Sequence, residues 1–405
     1  MRLLILTQYY PPEIGAPQNR LHELAIRLKE KGIHVEVLTA MPNYPKMEIM
    51  EAYKDSKIKE EIIDGIVVHR ASIFVSKSKS ILKRLLNYFS FVFTSYIRGR
   101  KLPSFDYLMV ESPPLFLGYS AMALSKSLNA KLIFNVSDLW PESAEKLDLV
   151  TNKMMLKFAY QLEAKCYAKS FLITGQTNGI VESIKTRFPS KDVYWLPNGV
   201  DLNYYNPDNL PDSTFRTKMG FDTTDLLIFY GGIIGYAQGL DVILNAAEIL
   251  KDKKSIKFIL QGSGPEKERL LMMKEELHLT NVYFLPPVDK KEMPNVLMGV
   301  DLAVVPLRKL ELFQGAIPSK IFESLSMKVP LILGVDGEAR GHFITKAEAG
   351  FYFEPENAIE LAACVMKFHE NRTLITQMGN NGRSYVDKYF NRNNIAQNLF
   401  EKLNM

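Results

Sequence analysis

Leu226-Leu227-Ile228-Phe229-Tyr230 runs straight into Gly231-Gly232-Ile233-Ile234-Gly235, and a helical pattern follows over Asp241 to Leu250. A short apolar strand, a glycine-rich turn and a helix make one strand-loop-helix unit. A strand with no polar alternation has both faces covered, as in a parallel sheet with crossover helices. The unit recurs downstream, with apolar runs at 256–260, 282–285, 301–305 and 329–333 and a further helix over Glu266 to Glu276. This half of the chain therefore predicts a doubly wound α/β sheet.

The same alternation occupies the first half. Residues 3–7 (LLILT) precede a Pro/Gly loop and a helix over Asn19 to Lys31, in which Leu21, Leu24, Ala25 and Leu28 share one face; Gly32 ends it and Val35 to Leu38 begins the next strand. Further strands are expected at 107–111, 131–136, 170–174 and 193–196. The polar stretch from PNGVD (197–201) to about residue 220 marks a domain boundary. With 405 residues, 47% of them apolar, two domains are favoured over one. We expect a first lobe over 1–197, a second over 198–381, and a C-terminal helix within 382–405. Two such lobes would bring the carboxyl ends of two sets of strands to one ligand.

Composition narrows the function. Fifty Lys and Arg against 45 Asp and Glu give a net charge of only +5, too little for a dedicated nucleic-acid binder. Two distant cysteines, Cys166 and Cys364, and no His cluster indicate neither a disulfide framework nor a metal site, and no cofactor is expected. The opening apolar run is too short for a signal peptide and no stretch approaches ~20 apolar residues, so a reduced, cytoplasmic setting is expected.

Glycine-rich loops follow strands in both halves: Gly15, then Gly231-Gly232 with Gly235 and Gly239, then Gly262-Ser263-Gly264. Bare backbone N–H groups and a helix N-terminus behind such loops suit a diphosphate, although glycine also simply ends strands. Neither a GxxxxGK[ST] phosphate loop nor a GxGxxG opening the first helix is present. In Pro318-Ser319-Lys320-Ile321-Phe322-Glu323, Lys320 and Glu323 fall on one helix face, a cation for a diphosphate and a carboxylate for ribose hydroxyls, or else a plain surface ion pair.

Taken in order, LLILTQYYPPEIGAPQNR (3–20), SDLWPES (137–143), PNGVD (197–201), GGIIGYAQGLD (231–241), QGSGPE (261–266) and PSKIFESLSMKVPLI (318–332) resemble the retaining glycosyltransferases of family four across essentially the whole chain. The nearest likeness is to bacterial enzymes of O-antigen and capsule synthesis, including the N-acetylfucosamine transferase type. The resemblance implies the GT-B fold, two Rossmann-like lobes facing across a cleft with a C-terminal helix crossing back to the first. It also implies a UDP-linked sugar donor and metal-independent transfer to a polyprenyl-diphosphate-linked saccharide. Gly15 would let its loop approach the donor phosphates and Glu323 would hold the ribose. Gly231, Gly232, Gln238, Gly262, Ser319 and Asn198 complete the expected donor contacts.

The chain departs from the family at four places. The usual phosphate-binding Arg and Lys fall at Ile233 and Gln238, so Lys320 inherits the diphosphate charge. The first of two spaced glutamates falls at Gly315, leaving sugar contact to the backbone of Gly315, Ala316 and Ile317. The usual catalytic His is Ser137, followed by Asp138, which orients the acceptor hydroxyl or accepts its proton, or else caps the helix that Pro141 begins. A front-face displacement, in which a departing phosphate oxygen takes the proton, needs no enzymic nucleophile.

Between residues 77 and 101 lie Lys77, Lys79, Lys83, Arg84, Arg98, Arg100 and Lys101, with no acidic residue, around an aromatic and aliphatic run. Such a segment suits peripheral contact with the cytoplasmic face of an anionic inner membrane, at about 1 kcal/mol for each well-placed cation, or serves as an ordinary domain helix. A nucleotide-sugar 2-epimerase on the same architecture, or a non-catalytic sugar-nucleotide-binding protein, are the alternatives.

Overall fold

The computed structural model describes residues 1–13, 15–54, 59–78, 80–146 and 150–405. The chain forms two compact units, Met1–Asn198 with Arg392–Met405, and Gly199–Asn391.

The first unit is built on an eight-stranded sheet: β1 (Arg2–Leu6), β2 (His34–Ala40), β3 (Glu60–Ile63), β4 (Ile66–Ala71), β5 (Tyr107–Ser112), β6 (Lys131–Val136), β7 (Leu172–Gly175) and β8 (Val193–Trp195). Their order is β3-β4-β2-β1-β5-β6-β7-β8. Every pairing is parallel except β3 with β4. Successive residues of a strand face opposite sides, which is why β1 is apolar from Leu3 to Leu6: Leu3 and Ile5 enter one buried cluster and Leu4 and Leu6 the other. Each such side chain stabilises the fold by roughly 1.5–3 kcal/mol.

The second unit carries β9 (Leu226–Ile233), β10 (Ile256–Ser263), β11 (Val282–Leu285), β12 (Leu302–Pro306), β13 (Leu331–Gly334) and β14 (Gly350–Tyr352). They are all parallel, in the order β11-β10-β9-β12-β13-β14. In each unit the winding reverses at one strand. After β1 the chain builds outward through β2 and then returns to place β5 on β1's other side; after β9 it builds through β10 and β11 and returns to place β12. The carboxyl ends of β1 and β5, and of β9 and β12, are thus the topological switch points where doubly wound sheets bind ligands.

Two elements differ from the sequence reading. The C-terminal helical run expected within 382–405 is interrupted. One helix, Thr373–Phe390, lies in the second unit and another, Arg392–Asn404, in the first. Asn391 between them is extended (φ −70°, ψ 119°), and the Phe390 carbonyl accepts from the Val200 N–H at 2.9 Å instead of continuing the helix. The last helix packs on the first unit: Ile395, Ala396, Leu399 and Leu403 join the cluster of Leu3 and Ile5, and the Tyr107 hydroxyl donates to the Leu403 carbonyl at 2.7 Å. The second difference is the β3–β4 hairpin, which the strand pattern did not anticipate. Its turn is Asp64-Gly65, both at positive φ (47° and 76°), and an Asp-Gly pair between EEII and IVVHRA is a hairpin signal in the sequence itself.

Candidate active site

In the second unit the switch point gathers the glycine-rich end of β9 and the helix Ser319–Ser326, which joins β12 to β13. Pro318 precedes this helix, and its extended conformation (φ −58°, ψ 133°) starts the first turn. Lys320 therefore lies in that turn, and its Nζ sits 3.8 Å from the centre of the Tyr230 ring. A Cβ on Gly232 would lie 3.0 Å from the same Nζ, and Gly232 has a φ of +135°. The φ favours glycine at 232, and a side chain there would crowd the Lys320 amine.

Burial lowers the Lys320 amine from its ordinary value of 10.5 to about 7; the carboxylate of Glu323 opposes this but does not restore it. Lys320 and Glu323 line the same small cavity of about 30 Å³, with Phe229, Gly231, Met293 and Ser324. The pair anticipated from spacing is thus brought together, with the amine held against an aromatic face. A buried amine with a lowered pKa at a strand end is the type of group that marks functional sites.

The other residues of this unit fall into place with different causes. A Cβ on Gly262 would stand 1.8 Å from the Gly232 carbonyl oxygen, and one on Gly264 2.2 Å from that of Ile234. These glycines are demanded by the close approach of the ends of β9 and β10. Gly231 is closed by the Phe229 ring, 2.8 Å from the place of a Cβ. Gln238 ends the turn Tyr236–Gln238. The cation that meets this turn is Arg308, which sequence reasoning missed. Its Nε donates to the Tyr236 carbonyl at 2.9 Å, and it pairs with Glu356 at 2.7 Å and Asp241 at 3.4 Å. Gly315 and Ser319 are exposed, Ala316 and Ile317 half-buried. The Ala316 N–H donates to the Phe313 carbonyl at 2.9 Å, so of the three backbone groups expected at the sugar this one is already engaged.

In the first unit Gly15 is extended (φ 179°), a conformation open to any residue, and a Cβ there would meet only the flexible end of Gln18. Gly15 precedes the helix Ala16–Glu30, whose first turn has no side-chain cap. Asp138 is exposed, and its Oδ1 accepts from the Ser143 hydroxyl at 2.6 Å, a side-chain bond rather than a backbone cap on the helix Glu142–Lys146. Asn198 is buried at the end of this unit.

Beneath Asp138 lies a polar network that the sequence reading did not find. Arg20 donates to Glu111 at 2.6 Å and to the Ser137 hydroxyl at 2.7 Å; Ser137 and Asn135 also donate to Glu111, and Thr174 donates to Asn135 at 2.6 Å. Glu111 and Arg20 are buried. The signal was present: Glu111 is a charged residue near the end of the otherwise apolar run YLMVE. Glu13, in the loop after β1, accepts backbone N–H bonds from Asn43 (2.7 Å), Tyr44 (2.8 Å) and Tyr10 (3.1 Å), joining the loops after β1 and β2. Burial nevertheless holds its carboxyl above the usual range.

The basic segment contains the helix Ile81–Gly99. Asn87, Phe91, Ser95 and Gly99 face inward at four-residue spacing, while Leu82, Leu86, Phe89, Phe93 and Ile97 are exposed. Lys83, Arg84, Arg100 and Lys101 are also exposed, whereas Lys77 pairs with Glu48 at 2.7 Å and Arg98 turns to the Lys59 carbonyl at 3.1 Å. Lys79 lies outside the described residues. Among the described residues no helix is long and apolar enough to cross a membrane, and no group of three or more His, Cys, Asp or Glu is placed to hold a metal ion.

Two doubly wound units, each with a polar cluster at its switch point, define a class that comparison with known families makes specific. Residues 18–204 match the model of Glycosyltransferase Family 4, and residues 212–385 that of Glycosyl transferases group 1. Together these take in most of both units, and the chain belongs to the group 1 glycosyltransferases, with the GT-B fold. It is similar to the putative colanic acid biosynthesis glycosyl transferase WcaI of Escherichia coli (strain K12), at 24% identity over 100% of both chains. Among solved structures it shares its fold with sucrose-phosphate synthase of Thermosynechococcus elongatus (15% identity, TM-score 0.76, covering 99% and 98% of the two chains). It shares it also with Alr3699/HepE of Anabaena, solved in complex with UDP-glucose (16% identity, TM-score 0.70, covering 100% and 99%).

Proposed function

We propose that the protein transfers a sugar from a UDP-linked donor, with retention and without a metal, to a lipid-linked saccharide in the synthesis of a bacterial surface polysaccharide such as O-antigen or capsule, and that an N-acetylated deoxy-aminosugar is the group moved. The observation that carries the reading is the Lys320–Glu323 pair at the switch point of the second unit, with Lys320 Nζ over the Tyr230 ring and against Gly232. Lys320 holds the diphosphate and Glu323 the ribose hydroxyls. Gly231, Gly232, Gln238, Gly262 and Ser319, with the open loop at Gly315–Ile317, shape the rest of the second unit's part of the donor site. The UDP-glucose complex of Alr3699/HepE supports this choice of donor.

In the transfer, the bond from the anomeric carbon to the diphosphate oxygen breaks as the acceptor hydroxyl oxygen bonds to the same face of that carbon, and the hydroxyl proton passes to the departing phosphate oxygen. Lys320 stabilises the negative charge that develops there. A cation about 4 Å from an anion contributes roughly 4 kcal/mol at an effective dielectric near 20, before desolvation. Asp138 orients the acceptor hydroxyl, and the Arg20–Glu111–Ser137 network fixes the loop that carries it. The exposed apolar stripe Leu82–Ile97 with Lys83, Arg84, Arg100 and Lys101 suits peripheral contact at the cytoplasmic face of an anionic inner membrane.

The test is turnover of labelled UDP-sugars with a bacterial lipid acceptor extract, in chelator, with the anomeric configuration of the product read by NMR. An α-linked product from an α-linked donor is expected. Release of an epimerised nucleotide sugar without any acceptor would assign the protein to the epimerases instead.

A further inference from the structure

A second cavity, far larger than the one beside Lys320, lies wholly within the first unit. It measures about 260 Å³, and its wall is mostly apolar: Tyr88, Phe116, Trp140, Ala144, Met155 and Leu156 contribute to it, with Arg84 as its one cationic side chain among the described residues. Three elements explain where it lies. Phe116 follows β5, and Trp140 follows β6 on the same loop as Asp138, so the cavity opens at the carboxyl edge of the sheet. Tyr88 and Arg84 come from the helix Ile81–Gly99, whose apolar residues on the exposed side, Leu82, Leu86 and Phe89, adjoin them in sequence. Met155 and Leu156 come from the first turn of the helix Lys153–Lys169, where Met154, Met155 and Phe158 are also exposed. Thr151 and Asn152 are the uncharged polar residues of the wall, and the Asn152 side chain is engaged, capping that helix through the N–H groups of Met154 and Met155.

At 260 Å³ the cavity is below the ~300–1,000 Å³ range of sites that enclose a whole small ligand. It fits part of an apolar chain whose remainder lies outside, along the exposed stripe. A cation at the wall, with Lys83 exposed beside it, complements an anion attached to that chain. Asp138, two residues from Trp140, places the candidate acceptor-orienting group on the loop that forms the wall.

We propose that this cavity binds the first part of the acceptor's prenyl chain, with Arg84 on the diphosphate that links chain to saccharide. The inference rests on the reading of the acceptor as lipid-linked and deepens it by assigning the lipid's binding site. Bilayer phospholipid is the competing source of an apolar chain with an anionic head, and the cavity is assigned to the prenyl diphosphate.

The test uses farnesyl diphosphate, below its micelle concentration, with the full chain carrying Trp195→Phe so that Trp140, the other of the two tryptophans, reports from the cavity wall. A saturable change in Trp140 fluorescence is expected, weakened at least tenfold by Met155→Glu and by Arg84→Glu, while the two variants keep the parent's melting temperature and affinity for UDP. Inorganic diphosphate alone should produce no such change, and short-chain phosphatidylglycerol should compete only weakly. An equal response to inorganic diphosphate, equal competition by phosphatidylglycerol, or unaltered binding in both variants would each overturn the assignment. Sugar transfer to lipid extract that persists without farnesyl diphosphate binding removes the cavity and leaves the enzyme reading standing. Binding without transfer to any lipid acceptor keeps the cavity as a prenyl diphosphate site and removes the reading of its ligand as the acceptor.

Discussion

Proton uptake on donor binding is the consequence of the Lys320 environment that can be measured most cleanly. With its amine at about 7, Lys320 is roughly one-tenth protonated at pH 8 in the free protein. A nucleotide-sugar diphosphate carries fixed charge through this window and does not itself titrate. Set about 4 Å from the amine it favours the charged form by roughly 4 kcal/mol at an effective dielectric near 20, equivalent to about 3 pKa units, which returns the amine close to its ordinary value. Binding at pH 8 should therefore take up about 0.9 proton, and at pH 6 only about 0.1. Because the complex holds the extra proton, affinity falls as pH rises, by about tenfold per unit above 7. Calorimetric titrations in Tris and in HEPES, whose ionisation enthalpies differ, measure the uptake directly. Lys320→Met should abolish it. An uptake below about 0.2 at pH 8, or the same uptake in Lys320→Met, would refute the placement of the diphosphate on this amine. The same group has a linked effect on folding. The unfolded chain keeps the proton up to about 10.5 and the native state releases it near 7, so Lys320 lets stability rise with pH between these values, and Lys320→Met should flatten that rise in denaturant melts.

Other substitutions separate the parts of the account. Glu323→Ala should weaken UDP binding by about 10- to 100-fold, the range for hydrogen bonds to a charged group, with little change in melting temperature; unchanged binding would return Glu323 to a structural role. Gly232→Ala meets both a φ of +135° and the Lys320 amine, so a loss of about 1–3 kcal/mol in urea unfolding is expected together with loss of nucleotide binding. Gly315→Glu faces open space, and its melting temperature should match wild type while the KM for the donor changes several-fold; an unchanged KM would place the sugar elsewhere. Glu111→Ala leaves the buried Arg20 guanidinium without its carboxylate and should cost about 3–5 kcal/mol in urea unfolding. Asp138→Ala should lower kcat well below Ser143→Ala; equal losses would show that Asp138 matters only through its bond to Ser143.

The parallel strands were legible because their burial on both faces writes itself as unbroken apolar runs, as at 3–6 in β1, 226–230 in β9 and 331–333 in β13. The helices followed from spacing and from their bounding Gly and Pro. What escaped was set by tertiary contact. The break at Asn391 depends on Val200, nearly two hundred residues away, and the hairpin at Asp64-Gly65 joins a β3 whose short, partly exposed pattern is weak by itself. Lys320 and Glu323 were readable as a pair from helical spacing, but the Tyr230 ring and the space left by Gly232 were not, since these approach from another strand. Gly262 and Gly264 show the reverse: loops that read as phosphate cradles have a sufficient cause in the contact of two strand ends. The Arg20–Glu111 network draws on three strands and a helix, so only the unexpected charge of Glu111 within an apolar run announced it.

Whether the second unit grips a nucleotide sugar through Lys320 and Glu323 is decided most directly by the shift in unfolding temperature with UDP-, GDP- and dTDP-sugars, run side by side on wild type and on Lys320→Met/Glu323→Ala. A ligand at a hundred times its Kd stabilises the native state by about 2.7 kcal/mol. The account predicts a shift of that order with a UDP-sugar in wild type and essentially none in the double variant. Equal stabilisation of the two proteins would contradict it.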